Sequence, residues 1–548
     1  MNLIYMAKNG MHAAQSALNV VVNNTNNFSI PEYHRQDIVF GEAGGKTTPY
    51  GFFGYGVQVD TVQRANDNYL NHRIRDAESE RGAIKGRLQQ MSQIDNLFAD
   101  DTHNISSEFS KIFVALQKMS NDPVSLPPRE ETLAQFHVLC DTFHRNSKTL
   151  DSLLHESHGK LRQVVDEINS SSQQIATLNV EIEKVYANTR SLPADLLDKR
   201  DALLDKLSSQ TGIRVHENAV TGCMSITLNN GLTLVNRDSS NRLAMVPTAD
   251  NPDRFEIHHL DAADNSIPLT AKKIVTGELA GLLKFCQQDL PSVSRSVNQQ
   301  ALSIAHEFNT VNKLGFTSDG QQGRQIFDYP QPVALINDNN ISQTKLDVYY
   351  ENISNVASLE YELTYINRDE NSPWRIMTSD GVEIDAHIQA GGEILFDGLK
   401  VSPAGIVQAG DKFRINPLAG VAKNITVAIT DCREIAASSS ENIEEQSNNE
   451  NIREFLILKG KKIISDSTLS ENYASLVGTT GTNTKQLVMN EHTNKSVCES
   501  LSAQKQSVVG VNINEEYVSV IMFTQYYQAN AQVMKSAITL FDTLLNIR

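Results

Sequence analysis

Basic residues are too few for a nucleic-acid-binding protein. The chain of 548 residues carries 48 Lys and Arg against 65 Asp and Glu, which gives a net charge of −17. Binding to phosphate backbones needs clustered Lys and Arg. The acidic balance therefore excludes nucleic acid and anionic membrane surfaces as expected partners. The hydrophobic share of 40% is ordinary for a globular protein that buries real cores.

Cysteine is also scarce, and its spacing excludes the usual cysteine-based sites. The five residues are far apart in the sequence, odd in number and without a CxxC pair: Cys140, Cys223, Cys286, Cys432 and Cys498. Neither a zinc or redox motif nor a disulfide framework is expected from such a set. We predict free thiols that are mostly buried.

Long apolar runs are absent as well. No stretch reaches the roughly 18 apolar residues of a membrane-spanning helix. The first residues lack the basic and apolar regions of a cleavable signal peptide. Taken alone, these features indicate a cytoplasmic protein, or one that is exported by a machine that leaves the N-terminus uncut.

The first helix is predicted over residues 2–28 and has almost no charge on any face. Its apolar or small residues follow the alternating three- and four-residue steps of a coiled-coil seam. They are Ile4, Ala7, Met11, Ala14, Leu18, Val21, Thr25 and Phe28. A helix exposed to solvent normally has a charged face. Since this one has only Lys8 and His12 before Glu32, we expect more than one packing partner.

The last helix, at about 513–547, has the same period. One set of seam residues is spaced by sevens: Ile513, Val520, Tyr527, Met534 and Phe541. Phe523, Ala537 and Leu544 occupy intermediate positions, with Asn530 polar among them. Two such helices at opposite ends of one chain are expected to pair, and the pair is expected to need further partners.

Between the two ends the pattern is strand, helix, strand, helix. In the small β region, Asn229-Asn230-Gly231 predicts the turn of a hairpin. A long helix opening at Pro127-Pro128 has Leu161, Ile168, Ile175 and Ile182 in a stripe spaced by sevens. The predicted fold class is α+β, a discontinuous long-helix bundle with inserted β-rich domains and paired terminal helices. The predicted domains are a terminal coiled-coil domain (1–36 with 510–548), a helical bundle (37–212 with 276–324 and 433–509), a small β region (213–275) and an outer β-rich domain (325–432).

Candidate catalytic and metal-binding patterns are weak. His155-Glu-Ser-His158 brings the second His one residue too early for HExxH. Cys140 and His144 are four apart on a helix but have no third orienting group. His258 and His259 are neighbours on a strand and point to opposite faces. The glycines of residues 51–56 precede a strand instead of opening a helix. We therefore predict no enzyme, and no catalytic, cofactor or metal residues.

Several segments resemble the rod, hook and hook-associated family of bacterial flagellar proteins. Residues 23–36 (NNTNNFSIPEYHRQ) are similar to its loop signature NNxxNxxTPGYTRQ, with Glu32 and His34 departing from it. Residues 51–64 resemble GxxGxGVxVxxVxR, and residues 195–204 resemble DLLDQRDxLL. Residues 285–308 are similar to the family stretch FRxxDLPxxxxxLNxLAxxxAxxFN. The end, from Val509 to Asn546, looks like SGVNLDEE followed by YQQAYQASAQV and FDTLLN. Together these motifs point to the hook-associated branch.

The resemblance implies a structural subunit that self-assembles at the distal end of the hook and joins hook to filament. It implies export through the flagellar type III channel without a cleavable signal peptide, and an extracellular location. The implied partners are further copies of the chain, the hook protein, the next hook-associated junction protein and an export chaperone on the C-terminal helix. The implied loop-signature residues are Asn23, Asn24, Asn27, Pro31, Tyr33, Arg35 and Gln36. The assembly residues are those of the two terminal seams.

Three other functions fit parts of the sequence less well. Flagellin lacks the signature of residues 23–36, and the hook protein lacks the helical bundle of residues 68–205. A secreted enzyme on a flagellar scaffold would need a catalytic constellation within residues 330–435. A type III secretion translocator or tip protein with terminal coiled coils would leave motility intact when deleted.

Overall fold

The computed structural model describes residues 2–30, 32–100, 104–218, 220–269, 274–366, 373–384, 386–388, 392–442, 444, 447–464 and 466–546. Long helices and antiparallel strands make up the chain, so the predicted α+β class is confirmed. Among these residues no helix is both long and apolar enough to cross a membrane.

The helices begin and end where the sequence provides caps and prolines. Helix α10 starts in a capping box formed by Thr468 and Glu471. The long helix α4 has proline in its first turn, where no backbone N–H bond is lost. The helices are α1 Asn2–Asn27, α2 Asn68–Ala99, α3 Ile105–Asn121, α4 Leu126–Thr189, α5 Ala194–Gln210, α6 Glu278–Lys284, α7 Leu290–Leu314, α8 Val421–Asn424, α9 Glu450–Ile457, α10 Leu469–Val509 and α11 Ile513–Asn546.

The strands fall into three groups along the chain. The base hairpin follows α1 and contains β1 Gln36–Glu42, β2 Gly45–Thr48, β3 Gly51–Gly54 and β4 Val57–Arg64. The small β region contains β5 Ile213–Glu217, β6 Met224–Leu228, β7 Thr233–Asn236, β8 Ser239–Ser240, β9 Arg242–Thr248, β10 Asn251–Leu260 and β11 Ser266–Leu269. The outer β domain contains β12 Phe327–Asp328, β13 Ala334–Ile336, β14 Leu346–Tyr350, β15 Tyr361–Tyr365, β16 Trp374–Thr378, β17 Glu383–Ile384, β18 His387–Ile388, β19 Ile394–Phe396, β20 Leu399–Pro403, β21 Lys412–Ile415 and β22 Thr426–Val427.

All strand pairings within these groups are antiparallel. The base hairpin pairs β1 with β4 and β2 with β3, and the small β region has sheets β5-β6-β7-β8 and β11-β10-β9. The outer β domain has sheets β13-β21-β15-β16-β17 and β14-β20-β19-β18, closed at its root by β12-β22. The predicted turn at residues 229–231 joins β6 to β7, and Gly231 supplies its positive φ of 89°.

Helix α4 is the longest helix of the bundle among the described residues, and most of the other bundle helices pack on it. Its 64 residues span about 96 Å at the usual rise of about 1.5 Å per residue. Leu161, Ile168, Ile175 and Ile182 are all buried, as their spacing predicts. The first three share a core with α5, α6 and the small β region. At the other end of the bundle, α4 packs on α3, α7 and the root of the outer β domain.

Phe308 of α7 is at the centre of an aromatic cluster where four segments meet. It is fully buried, and its ring lies 5.6 Å from that of Phe136, 6.1 Å from Phe327 and 5.5 Å from Phe455. These partners come from α4, β12 and α9. The cluster therefore joins the helical bundle to the first strand of the outer β domain.

The polar segment 438–451 packs on the bundle at its end. Its last residues, Glu450 and Asn451, begin α9. Asn451 is buried, and its amide donates to the carbonyl of Ala436 at 2.8 Å. Buried polar groups of this kind require a partner, so packing against the bundle orders the end of the segment.

The two ends of the outer β domain lie side by side, as the sequence predicts for an inserted domain. Phe327 of β12 pairs with Val427 of β22, and the Ala428 amide donates to the Ile326 carbonyl at 2.7 Å. We expect a fragment of residues 325–432 to fold alone, because its two sheets share a buried core. Leu363, Ile376 and Phe413 of one sheet and Val348 and Val401 of the other belong to it. Circular dichroism and thermal melting of the fragment check this.

The matched control is the same fragment with Leu363→Asp, which buries an unpaired carboxylate and should lose the cooperative melt. If the unmodified fragment has the spectrum of an unfolded chain, the domain assignment is wrong.

Candidate assembly site

Helices α1 and α11 pack against each other in antiparallel directions; we call them the terminal pair. Two contacts set the register. A Cβ added to Gly10 would lie 2.3 Å from Oδ1 of Asn530, and Nδ2 of Asn24 donates to Oε2 of Glu516 at 3.1 Å. The two partners are equally far apart on each helix but in reversed order. The helices therefore stay in step along the whole pair, as in a coiled coil.

The buried line of α1 runs through small residues. Ala7, Ala14 and Val21 of the predicted seam are buried, whereas Ile4, Met11 and Leu18 lie at its edge and are half-buried. The other buried positions are Gly10, Ala13, Ala17 and Asn24. Small side chains allow close approach of neighbouring segments. Here α11 lies on one side and the base hairpin on another, where Asn9 donates to the Tyr55 carbonyl at 3.2 Å.

The predicted seam of α11 faces this line. Val520, Phe523, Tyr527 and Met534 are half-buried, and Ala537 is buried. The ring of Phe523 meets that of Phe40 on β1 edge-on at 6.2 Å. Ile513 and Phe541, at the two ends of the helix, remain 43% and 46% exposed. The side chain of Leu544 lies outside the described residues.

Asn24 fastens the loop after α1 to the start of α11. It is 1% exposed and uses its whole amide. Its Nδ2 donates to Glu516 and to the Gln36 carbonyl, and its Oδ1 accepts from the Tyr33 hydroxyl at 2.8 Å and the Gln36 amide at 2.9 Å. A buried amide with all its bonds made fixes one loop geometry.

The other loop-signature residues complete this network. Arg35 donates through Nε to Glu516 at 2.7 Å, and its backbone N–H donates to the Val509 carbonyl. Asn27 bonds back to Asn23, whose amide donates to the Tyr33 hydroxyl. Burial, followed by the carboxylates of Asp198 and Glu516, raises the pKa of Tyr33 to about 12, so its hydroxyl stays protonated. Pro31 lies outside the described residues.

A second polar layer joins the terminal segments to the bundle. His34 Nδ1 lies 2.8 Å from Asp198 Oδ1, and Arg64 Nη1 donates to the same oxygen at 2.8 Å. Arg64 Nη2 is 2.6 Å from Asp201, and Arg75 of α2 reaches Asp201 at 3.3 Å. We call these five residues the root cluster. It brings together the signature loop, β4, α2 and α5.

Helix α5 supplies the acidic residues of this cluster from one face. Asp198 and Asp201 are three residues apart and point the same way, whereas Arg200 points to the small β region, where Nη2 is 2.6 Å from Glu217. Burial opposes the ionisation of Asp201. The charges of Arg64, Arg75 and Arg200 outweigh that effect and hold the pKa of Asp201 below its ordinary value.

Sequence reasoning did not select the root cluster or Glu516. The signals were present, because Arg64, Asp198 and Glu516 all lie within segments that resemble the family motifs. The motifs do not reveal which of their segments meet. In the structure, the signature loop and β4 contact α5, and Asn24 contacts the start of α11. His34, a departure from the signature, is 3% exposed and paired with Asp198.

The histidines of the candidate catalytic patterns have structural partners. His155 is bonded to the Asp151 carbonyl, His158 packs on Phe255, and His144 is bonded to the Ile425 carbonyl at 2.7 Å. Burial, with a smaller effect of Asp141, raises the pKa of Cys140 to about 12, so that thiol is not a nucleophile at neutral pH. All five cysteines are free thiols, as predicted, and only Cys286 is not fully buried.

Three family models match the chain. One described as "Flagellar hook-associated protein FlgK helical domain" matches residues 91–327, and one described as "Flagellar hook-associated protein 1, D2-like domain" matches residues 335–417. The model "Flagellar basal body rod FlgEFG protein C-terminal" matches residues 505–547, which include the whole described length of α11.

Whole proteins match along their full length. The chain is 33% identical over 560 residues to "Flagellar hook-associated protein 1" of Salmonella typhimurium strain LT2, with 100% of both chains covered. It is 31% identical over 555 residues to the protein of the same name from Escherichia coli K12, again with 100% of both covered. A solved structure, the flagellar hook junction protein FlgK of Burkholderia pseudomallei, has the same fold. Its TM-score is 0.72 at 19% identity, over 80% of this chain and 100% of that one.

The root cluster predicts a pH-dependent contribution to stability. We expect Asp201→Asn to cost about 3 kcal/mol at neutral pH, because it leaves Arg64 and Arg75 buried without their shared partner. The pKa of Asp201 is lowered by folding. Its contribution is therefore present at neutral pH and is lost as pH falls below about 4. Urea unfolding between about pH 7 and pH 3 measures the difference between wild type and variant.

The control is Glu183→Gln, which removes an exposed ion pair with Arg237 and should leave stability close to that of wild type at every pH. A difference between wild type and Asp201→Asn that stays constant down to the lowest pH would contradict this assignment.

Proposed function

The chain belongs to the flagellar hook-associated protein 1 family, and from this premise we propose that it is a structural subunit that joins hook to filament. In this proposal several copies assemble side by side at the distal end of the hook. The hook protein lies below them, and the next hook-associated junction protein lies above. The observation that carries the proposal is the outer surface of the terminal pair, which is apolar and has no partner among the described residues.

The exposed side chains of the terminal pair are those of an interface. Large apolar residues between 38% and 67% exposed occur along both helices: Leu3, Tyr5, Met6 and Val22 on α1, and Ile513, Tyr517, Val518, Ile521, Met522, Tyr526, Val533, Ile538, Leu540, Phe541 and Leu545 on α11. Monomeric soluble proteins rarely expose contiguous apolar patches of this extent. Burial of such a surface is worth about 25 cal/mol per Å². We therefore infer that neighbouring copies cover it.

The base hairpin, which packs on α1 through β1 and β4, also carries exposed aromatic residues. Tyr50 is 93% exposed at the β2–β3 turn, and Phe52 and Phe53 are more than half exposed on β3. Aromatic side chains of this kind contribute much of the energy of protein interfaces. Because the hairpin packs on α1 through β1 and β4, these exposed residues support an assembly interface that is built from both elements.

The end of α11 suits a second partner before assembly. In the register set by Gly10 and Asn530, the residues of α11 after about 538 extend past the start of α1, where Phe541 and Leu545 remain exposed. We propose that an export chaperone covers this end until secretion. Covering it would keep the apolar segment from aggregating in the cell.

The alternative functions have less support. The full-length relatives carry the name of hook-associated protein 1 and not those of flagellin, a hook protein or a type III translocator. The chain thus belongs to a family of structural flagellar proteins and not of enzymes.

A surface variant tests the assembly role without disturbing the fold. We expect Val518→Glu with Met522→Glu to leave the melting temperature of the monomer unchanged, because both side chains are more than half exposed. Incorporation at the hook tip should fail, because each new carboxylate would be buried at the interface without a partner. Electron microscopy of hook–basal bodies and the amount of flagellin in the medium measure this.

Two buried positions serve as controls. Val21→Asp lies inside the terminal pair and should also block incorporation while changing the melting of the bundle little. Ile175→Asp lies in the bundle core and should destabilise folding itself by several kcal/mol. If Val21→Asp lowers the bundle's melting temperature as much as Ile175→Asp, the terminal pair is ordinary core. Normal filaments on cells with the Val518 and Met522 double variant would refute the assembly surface.

The chaperone proposal has its own variant. Phe541→Ser with Leu545→Ser should abolish co-purification with the export chaperone and lower the amount secreted, because the apolar anchors are removed. Monomer stability should stay the same. Tyr517→Ser, an equally exposed change near the other end of α11, is the control and should still bind. Equal binding of the double variant and wild type would place the chaperone site elsewhere.

A further inference from the structure

The small β region and the outer β domain touch through a turn that is distant in sequence. The turn between β9 and β10 reaches the outer β domain, where the Asp338 amide donates to the Ala249 carbonyl at 2.8 Å. Next to this bond, Asp250 Oδ2 lies 2.5 Å from Nε of Arg414 on β21. The turn thus holds two different parts of the outer β domain at once.

Glu360 lies beside this contact and faces three arginines. Its carboxylate is 3.6 Å from Arg254, 3.7 Å from Arg295 and 3.8 Å from Arg414. The three belong to different units, since Arg254 is on β10, Arg295 on α7 and Arg414 on β21. Glu360 itself precedes β15 of the outer β domain. One carboxylate therefore links the small β region, the bundle and the outer β domain.

The charge balance makes this cluster different from an ordinary surface ion pair. Two carboxylates, Asp250 and Glu360, lie among three guanidinium groups, and the side chains are between 14% and 37% exposed. Loss of Glu360 leaves Arg254, Arg295 and Arg414 around one site with only Asp250 to balance them. Repulsion among them would then push the β9–β10 turn away from the outer β domain.

The covalent connections do not by themselves fix this contact. The outer β domain leaves and rejoins the bundle at β12 and β22, and the small β region leaves after α5 and returns before α6. The β9–β10 turn is therefore not held against the outer β domain by the path of the chain. Its position against the outer β domain depends on the Asp338 hydrogen bond and on the ion cluster.

We propose that Asp250, Arg254, Arg295, Glu360 and Arg414 form an electrostatic latch that holds the β9–β10 turn against the outer β domain. When the latch is closed, the two β units and the bundle present one continuous outer surface. When the charge of Glu360 is removed or screened by salt, the turn detaches and the small β region and outer β domain move independently. The folded cores of both units remain intact in either state.

Hydrogen exchange at the Asp338 amide reports the latch directly, because its bond to Ala249 crosses the contact. We expect Glu360→Gln to speed exchange in a peptide containing Asp338 by about tenfold or more in the full-length protein. Raising NaCl from about 0.01 M to about 1 M, which shortens the Debye length from about 30 Å to about 3 Å, should speed exchange in wild type and have less effect in Glu360→Gln.

Glu393→Gln is the matched control. It removes a comparably exposed ion pair, 2.8 Å from Lys400, that lies within the outer β domain. It should leave exchange at Asp338 unchanged. Asp250→Asn, at the surface turn, should reproduce the effect of Glu360→Gln in part without any effect on the cores.

Unchanged exchange at Asp338 in both Glu360→Gln and Asp250→Asn would overturn the latch. An equal increase in Glu393→Gln would also overturn it, since the effect would then be general loosening of the outer β domain. Assembly at the hook is a separate measurement, so failure of the latch leaves the proposed junction role standing.

Discussion

The antiparallel pairing of α1 with α11 is the constraint on which the rest of the chain path depends. Because the two chain ends lie together in register, every element between them must leave this point and return to it. Helices α2 and α10, which are the next helices to α1 and α11 along the chain, accordingly run side by side. The small β region departs after α5 and returns at Gly277, whose amide donates to Ser79 of α2. The outer β domain closes on itself through β12 and β22. The fold is thus a set of nested insertions, each with adjacent ends.

The root cluster lies where the terminal segments meet the bundle, and its polar groups allow only one orientation there. An apolar contact would tolerate several orientations of the terminal pair, because the hydrophobic effect has no direction. The planar guanidinium of Arg64 can donate to two carboxylates only when they lie in the right directions. Here they are Asp198 and Asp201 on successive turns of α5. Asn24 adds the same kind of selectivity at Glu516. A directional joint of this kind fixes how the terminal pair is presented.

Elements whose signal is local could be predicted, whereas contacts between distant segments could not. The helical period placed α1, α4 and α11, and the turn at Gly231 placed a hairpin. The stripe of Ile168 and Ile175 fell in the core as expected. The seam of α1 moved toward Gly10 and Ala17 because a third element, the base hairpin, competes for the same helix, and a period alone cannot reveal that. His34 and Asp198 are 164 residues apart in the sequence, so only the folded structure brings them together.

Charge is divided unequally between the terminal pair and the rest of the chain, and this difference bears on the proposed assembly. The net charge of −17 belongs mostly to the bundle and the β units, whereas α1 contains Lys8 and no acidic residue. Like charge on the outer body keeps monomers apart in solution. The terminal pair adds little to this repulsion, because Lys8 and Lys535 against Glu515, Glu516 and Asp542 leave it a net charge of only −1. In the proposed assembly, copies that approach each other would therefore meet least resistance at the terminal pair. The apolar surface there would gain energy from burial without needing charged groups to match, while the root cluster holds each pair at one angle to its own bundle.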